Sequence, residues 1–400
     1  MYFQLLDDKR ECPGIYSDGS LSYDNPSPGP ESNLRTWRYS PALKDLPVEY
    51  AQLYCGGRSL SSVCPEDLKN DYELISSKLR AFLRSFGESK INLSDNCFFE
   101  LVPERFLLEF CEIKNEITKF VFENFFRPKN YRFLAAAQEL LAEIGTQRLN
   151  IDESYMSSKL GDIRARNFLR KLRNADQHVD YDLFGTKTGR LSTKKGSFPL
   201  MTLNKDYRGV LKPNNDVFVE LDYNAAELRT LLSLCGKTQP ETDIHQWNCD
   251  NIYGPGVTRD EAKKRIFAWL YNPNSKDRAS ESFYDRDKIL TDYWQGGIIN
   301  TPLGRNIEVE KSKALNYLIQ STTSDAFLSQ SIEISKKLSD QKSHVAFLLH
   351  DSIVLDYSLD EKDLIPELVE TFSNTKLGKY KVNVSAGRNY GDMKRLSIDG

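Results

Sequence analysis

Arg259, Lys263, Phe267 and Tyr271 recur every four residues. Four residues is close to one helical turn, so a helix through them carries all four on one face. The stripe offers two cations, then a ring, then a ring with a hydroxyl. Arg259 can fork onto a terminal phosphate, and Lys263 can neutralise a phosphate nearer a reacting bond. Phe267 offers a flat face to a base or sugar. Two isolated aspartates, Asp222 and Asp351, stand on either side of the stripe along the chain. Carboxylates brought to one edge can hold two magnesium ions roughly 3.5–4 Å apart, which stabilise an attacking 3′-oxygen and a leaving pyrophosphate. Magnesium usually takes one or two protein carboxylates and fills its shell with water and phosphate oxygens, so two aspartates suffice. The implied chemistry is nucleotidyl transfer. Either aspartate alone would read as an ordinary turn residue, and the helical stripe decides between the readings.

The elements that must position these groups are legible in part. Asp216-Val-Phe-Val-Glu-Leu-Asp222 alternates like a half-buried strand, and Ala225 to Cys235 reads as a helix. His344 to His350, a polar turn at Asp351-Ser352, and Ile353 to Tyr357 read as a hairpin. Upstream, β-like runs at Met1–Leu6 and Gly14–Tyr23 are separated from the rest by a loop over 25–33, rich in Pro, Ser and Gly. Helices are expected from Leu68 to Gly87, from Pro103 to about Phe125, from Tyr131 to Ile144, and over Asp152–Asn174. Strands and helices are mixed rather than alternating, which predicts an α+β fold.

The 400 residues, 40% hydrophobic, suit two or three domains with a proper core. No run approaches the roughly 20 apolar residues of a membrane span. The acidic start, with Asp7 and Asp8, does not read as a signal peptide. Seven cysteines lie scattered without Cys-x-x-Cys spacing, as expected of reduced thiols in a cytoplasm and not of a zinc site. The net charge of −3 does not advertise a nucleic-acid binder. Residues 159–195, however, hold ten Lys or Arg against four Asp, a local footprint for phosphates.

Six elements in order resemble the family A DNA polymerases, across about residues 148–357. They are Thr188-Gly-Arg190-Leu-Ser192; Leu221-Asp222-Tyr223-Asn-Ala-Ala-Glu227-Leu-Arg229 (the family's motif A); Asp243-Ile-His245; the Arg259–Tyr271 stripe (motif B); Asn316 to Asp325 with Gln320 inside; and His350-Asp351-Ser352 (motif C). The resemblance implies a right-hand polymerase fold with an antiparallel-sheet palm, helical fingers and a reduced helical thumb. It implies primer–template DNA and deoxynucleoside triphosphates as partners and two magnesium ions as cofactors, with manganese able to substitute. Asp222, Asp351 and the Tyr223 carbonyl would bind metal. His245, Arg259 and Lys263 would hold the triphosphate, with Lys263 also catalytic. Glu227 would crowd the sugar 2′ position. Phe267 would stack on the nucleotide and discriminate against dideoxynucleotides, and Tyr271 would pack near the templating base. Thr188, Arg190, Arg229, Asn316, Gln320 and His350 would contact DNA.

The expected division is an N-terminal region over 1–100, a thumb-like region over 101–176, palm over 177–236 and 311–400, and shortened fingers over 237–310. The first region shows Asp7, Asp8 and Asp18 but no exonuclease acid set. Ser352 replaces the family's glutamate, and single-subunit RNA polymerases also carry serine there. A single-subunit RNA polymerase or primase-like enzyme, and an inactive DNA-binding descendant, are therefore the alternatives. A monomer in the host cytoplasm of a phage is the expected setting.

Overall fold

The computed structural model describes residues 1–8, 11–23, 33–93 and 95–396. The loop expected over 25–33 lies outside them, apart from Asn33. The chain divides into two compact units, Met1–Glu143 and Ile144–Gly400.

The first unit opens with an antiparallel meander of β1 (Phe3–Asp8), β2 (Glu11–Ser17) and β3 (Ser20–Ser22). Three long helices follow: α1 (Lys69–Glu88), α2 (Glu104–Asn124) and α3 (Tyr131–Thr146), whose last turn crosses into the second unit. Gly87 and Gly145 lie inside the final turns of α1 and α3 rather than beyond them. Helix α2 serves two cores. Phe106, Leu107 and Cys111 pack with Leu6, Tyr16, Ile75 and Phe98, while Ile117 and Val121 pack with Trp37, Ala51 and Val63. The division expected at residue 100 therefore falls within one core, since burial of α2 joins residues on both sides of it. The acids noted near the N-terminus have local uses. Asp7 accepts from Ser40 Oγ at 2.5 Å, and Asp8 accepts from the Phe98 N–H at 2.8 Å. All seven cysteines are free thiols. Cys12, Cys97 and Glu100 nonetheless bring their ligand atoms within 4.8 Å of one another, a proximity that sequence spacing did not suggest.

The second unit is built on a five-stranded antiparallel sheet. Its strands are β4 (Val217–Tyr223), β5 (His344–Leu349), β6 (Ser352–Tyr357), β7 (Val382–Gly387) and β8 (Lys394–Leu396), in the order β5-β6-β4-β7-β8. The strand read from alternation and the expected hairpin are both present, and β4 pairs with the hairpin's second strand, β6. Edge strand β5 carries an irregularity between Val345 and Phe347. Buried Tyr181 binds it: the hydroxyl accepts from the Leu348 N–H at 2.8 Å and donates to its carbonyl at 2.6 Å, covering an otherwise open edge.

The helix expected over 152–174 is two elements. A 3₁₀ segment, Glu153–Lys159, stops before Gly161, and α4 (Ile163–Asn174) starts afresh with Asp162 accepting from the Arg164 N–H. Helix α5 (Ala226–Leu234) follows β4, and the stripe forms α6 (Arg259–Tyr271), opened by a reciprocal Thr258–Glu261 capping box. The Asn272-Pro273 stop is stabilised by Arg286, which donates to the carbonyls of Trp269 (2.5 Å) and Pro273 (2.8 Å). The short span from Tyr271 to Thr301 holds two brief helices, Arg278–Tyr284 and Arg286–Tyr293, then the first strands of a small sheet completed at Asn306–Glu308. A buried 27-residue helix, α7 (Lys311–Lys337), packs with α5 and α6 through Leu228, Leu231, Ile266, Trp269, Leu315 and Leu318.

Candidate active site

The two aspartates meet where β4 leaves the sheet and the β5–β6 hairpin turns. Asp222 pairs in register with Ser352, and the Tyr223 N–H points to the Asp351 carbonyl at 3.5 Å. The turn is only His350-Asp351. His350 takes a left-handed backbone (φ 58°), which is costly for a residue with a Cβ and holds Asp351 at the strand end. Ala225 is left-handed as well (φ 53°), so the chain reverses at once from β4 into α5 and Glu227 follows on its first turn. Tyr223 anchors the corner. Its ring stacks on Phe372 at 4.2 Å and its hydroxyl donates to the Phe372 carbonyl at 2.6 Å.

Burial, and then the neighbouring Asp351, push the Asp222 carboxyl up to about 7. The Asp351 carboxyl is also raised, by burial first and by Glu227 next. Two partly desolvated carboxylates facing each other are a poor arrangement alone and a good one around a hard divalent cation. The donor set fits magnesium, which prefers oxygen ligands. Asn383 Nδ2 lies 3.4 Å from Asp222 Oδ2.

A cleft of about 260 Å3 opens beside Asp351, lined by Arg190, Glu227, Phe267, Tyr271, Gln320 and His350 among others. Glu227 is clasped there. The Tyr271 hydroxyl donates to its carboxylate, and Arg190 lies 3.5 Å away. Phe267 and Tyr271 stack nearly parallel, 8° apart, with centroids at 5.8 Å. Lys263 is exposed on the same helix face, and no ion pair to it occurs among the described residues.

No protein-family model matches the chain. A DNA polymerase of Bacillus phage SP01 is 24% identical over 302 residues, covering 56% of this chain and 32% of the relative. A DNA polymerase of Mycobacterium phage D29 is 21% identical over 315 residues, covering 68% and 49%. A shorter match, 25% over 158 residues, is to an m7GpppX diphosphatase of Caenorhabditis elegans, covering 38% of this chain and 45% of that protein. The chain thus spans about a third to a half of the length of these curated relatives. Among solved structures, the POL domain of Pol1 from M. smegmatis, in complex with DNA primer-template and dNTP, aligns with a TM-score of 0.58 at 14% identity. That alignment covers 72% of this chain and 76% of that one. The chain is thus similar in sequence to phage DNA polymerases and in fold to a DNA polymerase POL domain. The diphosphatase match covers the smaller share of the chain.

Against the family's motifs, the fold places the expected residues unevenly. Asp222, Asp351, Glu227, Arg190, Phe267, Tyr271, Gln320 and His350 converge. Asn316 lies in an adjoining cavity of about 300 Å3 with Tyr271, Arg286, Lys311 and Lys313. Arg259 forks onto Asp243 at 2.9 and 3.0 Å. Burial raises the Asp243 carboxyl, but Arg259, Asn224 and the Gln246 N–H outweigh it and hold the group well below its usual range.

Three of the expected residues lie buried. Arg229, expected on DNA, is fully buried and donates to the carbonyls of Asn224, Pro240 and Thr242 at 2.8–2.9 Å. It braces the loop ahead of Asp243. His245, expected on the triphosphate, is 5% exposed behind Phe267, and burial followed by the nearby cations lowers it to about 4, leaving a neutral ring. Thr188, expected on DNA, is buried between exposed Lys187 and Arg190.

The sequence reading missed how that loop is held. Gly189 (φ 75°) lies flat against Arg305, whose guanidinium would stand 2.5 Å from any added Cβ. Arg305 in turn forks onto Asp325, 2% exposed, at 2.7 and 3.1 Å. Asp325 was visible as the end of the Asn316 element. Arg305 gave no local signal, because its partners are 20 and 116 positions away.

Proposed function

We propose that this chain carries out template-directed DNA synthesis, adding deoxynucleotides to a primer 3′ end with release of pyrophosphate. The observation that carries the reading is the adjacency of Asp222 and Asp351 beside a cleft lined by Arg190, Glu227, Phe267 and Tyr271. Similarity to phage polymerases and to a solved polymerase domain supports the same reading. On it, the five-stranded sheet (177–236 and 311–400) is the palm, 237–310 a shortened fingers region, and the helices within 101–176 a reduced thumb.

Asp222, Asp351 and the Tyr223 carbonyl would hold two magnesium ions, which when bound supply charge neutralisation at the attacking and leaving oxygens. The remaining work falls to side chains. Lys263 lies along the triphosphate, and Arg259 joins it by exchanging Asp243 for phosphate oxygens. Phe267 stacks on the incoming nucleotide. Glu227 occupies the space that a ribose 2′-hydroxyl would need. Arg190, Gln320 and His350, with Asn316 beside them, face the primer–template minor groove, where acceptors are similar for every correct pair. His245 positions Phe267 from behind instead of meeting phosphate.

Extension of a 5′-labelled primer by the purified chain, with dNTPs and separately with rNTPs, tests this. Expected are dNTP-dependent extension, preference for dNTPs, and loss of extension without loss of DNA binding in Asp222→Ala and Asp351→Ala. Preference for rNTPs would favour the RNA-polymerase alternative. Binding without extension by the unaltered chain would favour the inactive one.

A further inference from the structure

Glu220 stands two residues before Asp222 on β4, so the two side chains leave the same face of the sheet. Ser352, opposite Asp222, places its Oγ 3.1 Å from Glu220 Oε1 and 3.0 Å from the Leu349 carbonyl, so its one proton is shared between the two acceptors. The Tyr390 hydroxyl donates to that same oxygen, also at 3.1 Å. Ser352 and Tyr390 are both buried, and both are neutral donors. Among the described residues no Lys, Arg or His forms an ion pair with Glu220. The Glu220 carboxylate is thus reached by neutral hydroxyls on the sheet face that carries Asp222. Ser352 is also where a third acid could have stood on the hairpin. Its hydroxyl instead lies within hydrogen-bond reach of an acid on the neighbouring strand.

We propose that Glu220 is the third carboxylate of the divalent-ion site, a positioning residue whose charge acts through the ions' bound water while Ser352 and Tyr390 hold it in place. The inference rests on the two-aspartate reading above. Asp222 and Asp351 would contact the ions directly, and Glu220 would set how tightly they are kept.

The test uses Mn2+ as the probe, its binding to the full chain followed by electron paramagnetic resonance without DNA or nucleotide. Glu220→Gln keeps the shape and an acceptor for both hydroxyls but removes the charge. It should weaken Mn2+ about tenfold, the usual scale for a group supporting a metal's direct ligands. Ser352→Ala, which only loosens Glu220, should weaken it less. In primer extension, Glu220→Gln should raise the half-saturating Mg2+ concentration, with kcat recovering at high Mg2+. Thermal melts read folding, and Glu220→Gln should melt no lower than the unaltered chain. Unchanged Mn2+ affinity in Glu220→Gln, alongside weakened binding in Asp222→Asn, would overturn the inference and leave the aspartate site standing. A lower melt with unchanged Mn2+ affinity would make Glu220 structural only, which also overturns it. Unchanged affinity in Asp222→Asn as well would remove the ion site itself.

Discussion

The Tyr271 hydroxyl donates to the Glu227 carboxylate, tying the last turn of α6 to the first turn of α5. Arg190 reaches the same carboxylate from a third segment. Three stretches far apart in the chain thus converge on one acid. If Glu227 excludes a ribose hydroxyl, Glu227→Ala should raise ribonucleotide incorporation relative to deoxynucleotide by about tenfold or more, a loss of roughly 1.4 kcal/mol of discrimination. Tyr271→Phe should move the ratio the same way but less, since Arg190 still holds the acid. The check is competitive single-nucleotide extension, and an unmoved ratio in Glu227→Ala would remove the steric role.

Asp222 makes the metal-free protein sensitive to pH. Its folded pKa of about 7 lies above the ordinary carboxylate value, so the folded state keeps a proton that the unfolded chain releases. The stabilising proton is fully present below about pH 4 and its contribution is lost as pH rises from about 4 to 7. Asp222→Asn should therefore stabilise the metal-free protein at pH 8 by about 2 kcal/mol and flatten this part of the profile. Denaturant unfolding at pH 5 and pH 8 with EDTA would measure it. Magnesium should narrow the gap by stabilising the unaltered protein more.

Arg229 yields the opposite signature. Its guanidinium serves three backbone carbonyls in a fully buried place. Arg229→Met would leave those carbonyls unpaired and should cost about 3 kcal/mol of stability. Primer–template affinity per folded molecule should stay the same. A selective loss of DNA affinity at full stability would restore it to the DNA contacts.

Helix α4 offers Arg164, Arg166, Arg170 and Lys171 to solvent, whereas Arg173 is engaged by Glu153 at 2.8 Å. DNA affinity should fall steeply with salt as phosphate counterions are displaced. Replacing Arg170 and Lys171 with Ala should lower the log–log slope by about 2. Fluorescence anisotropy across a salt series would show it, and an identical slope would take α4 off the DNA.

Local pattern alone determined much of this molecule. Period-2 alternation marked β4, two apolar runs around a polar turn marked the β5–β6 hairpin, and a four-residue stripe stopped at Pro273 marked α6, because these patterns are written within a few residues. The candidate aspartates and the cleft residues could be named because their chemistry is unusual at that spacing. Tertiary structure decided what no window of sequence contains. It buried Arg229, His245 and Thr188, because whether a polar side chain faces solvent depends on which elements close over it. It joined α2 to the N-terminal meander, since both its apolar faces needed partners from before residue 100. It set Glu220 against Ser352 and Arg305 against Gly189, pairs brought together only by strand register and the packing of α7, across more than a hundred residues of chain.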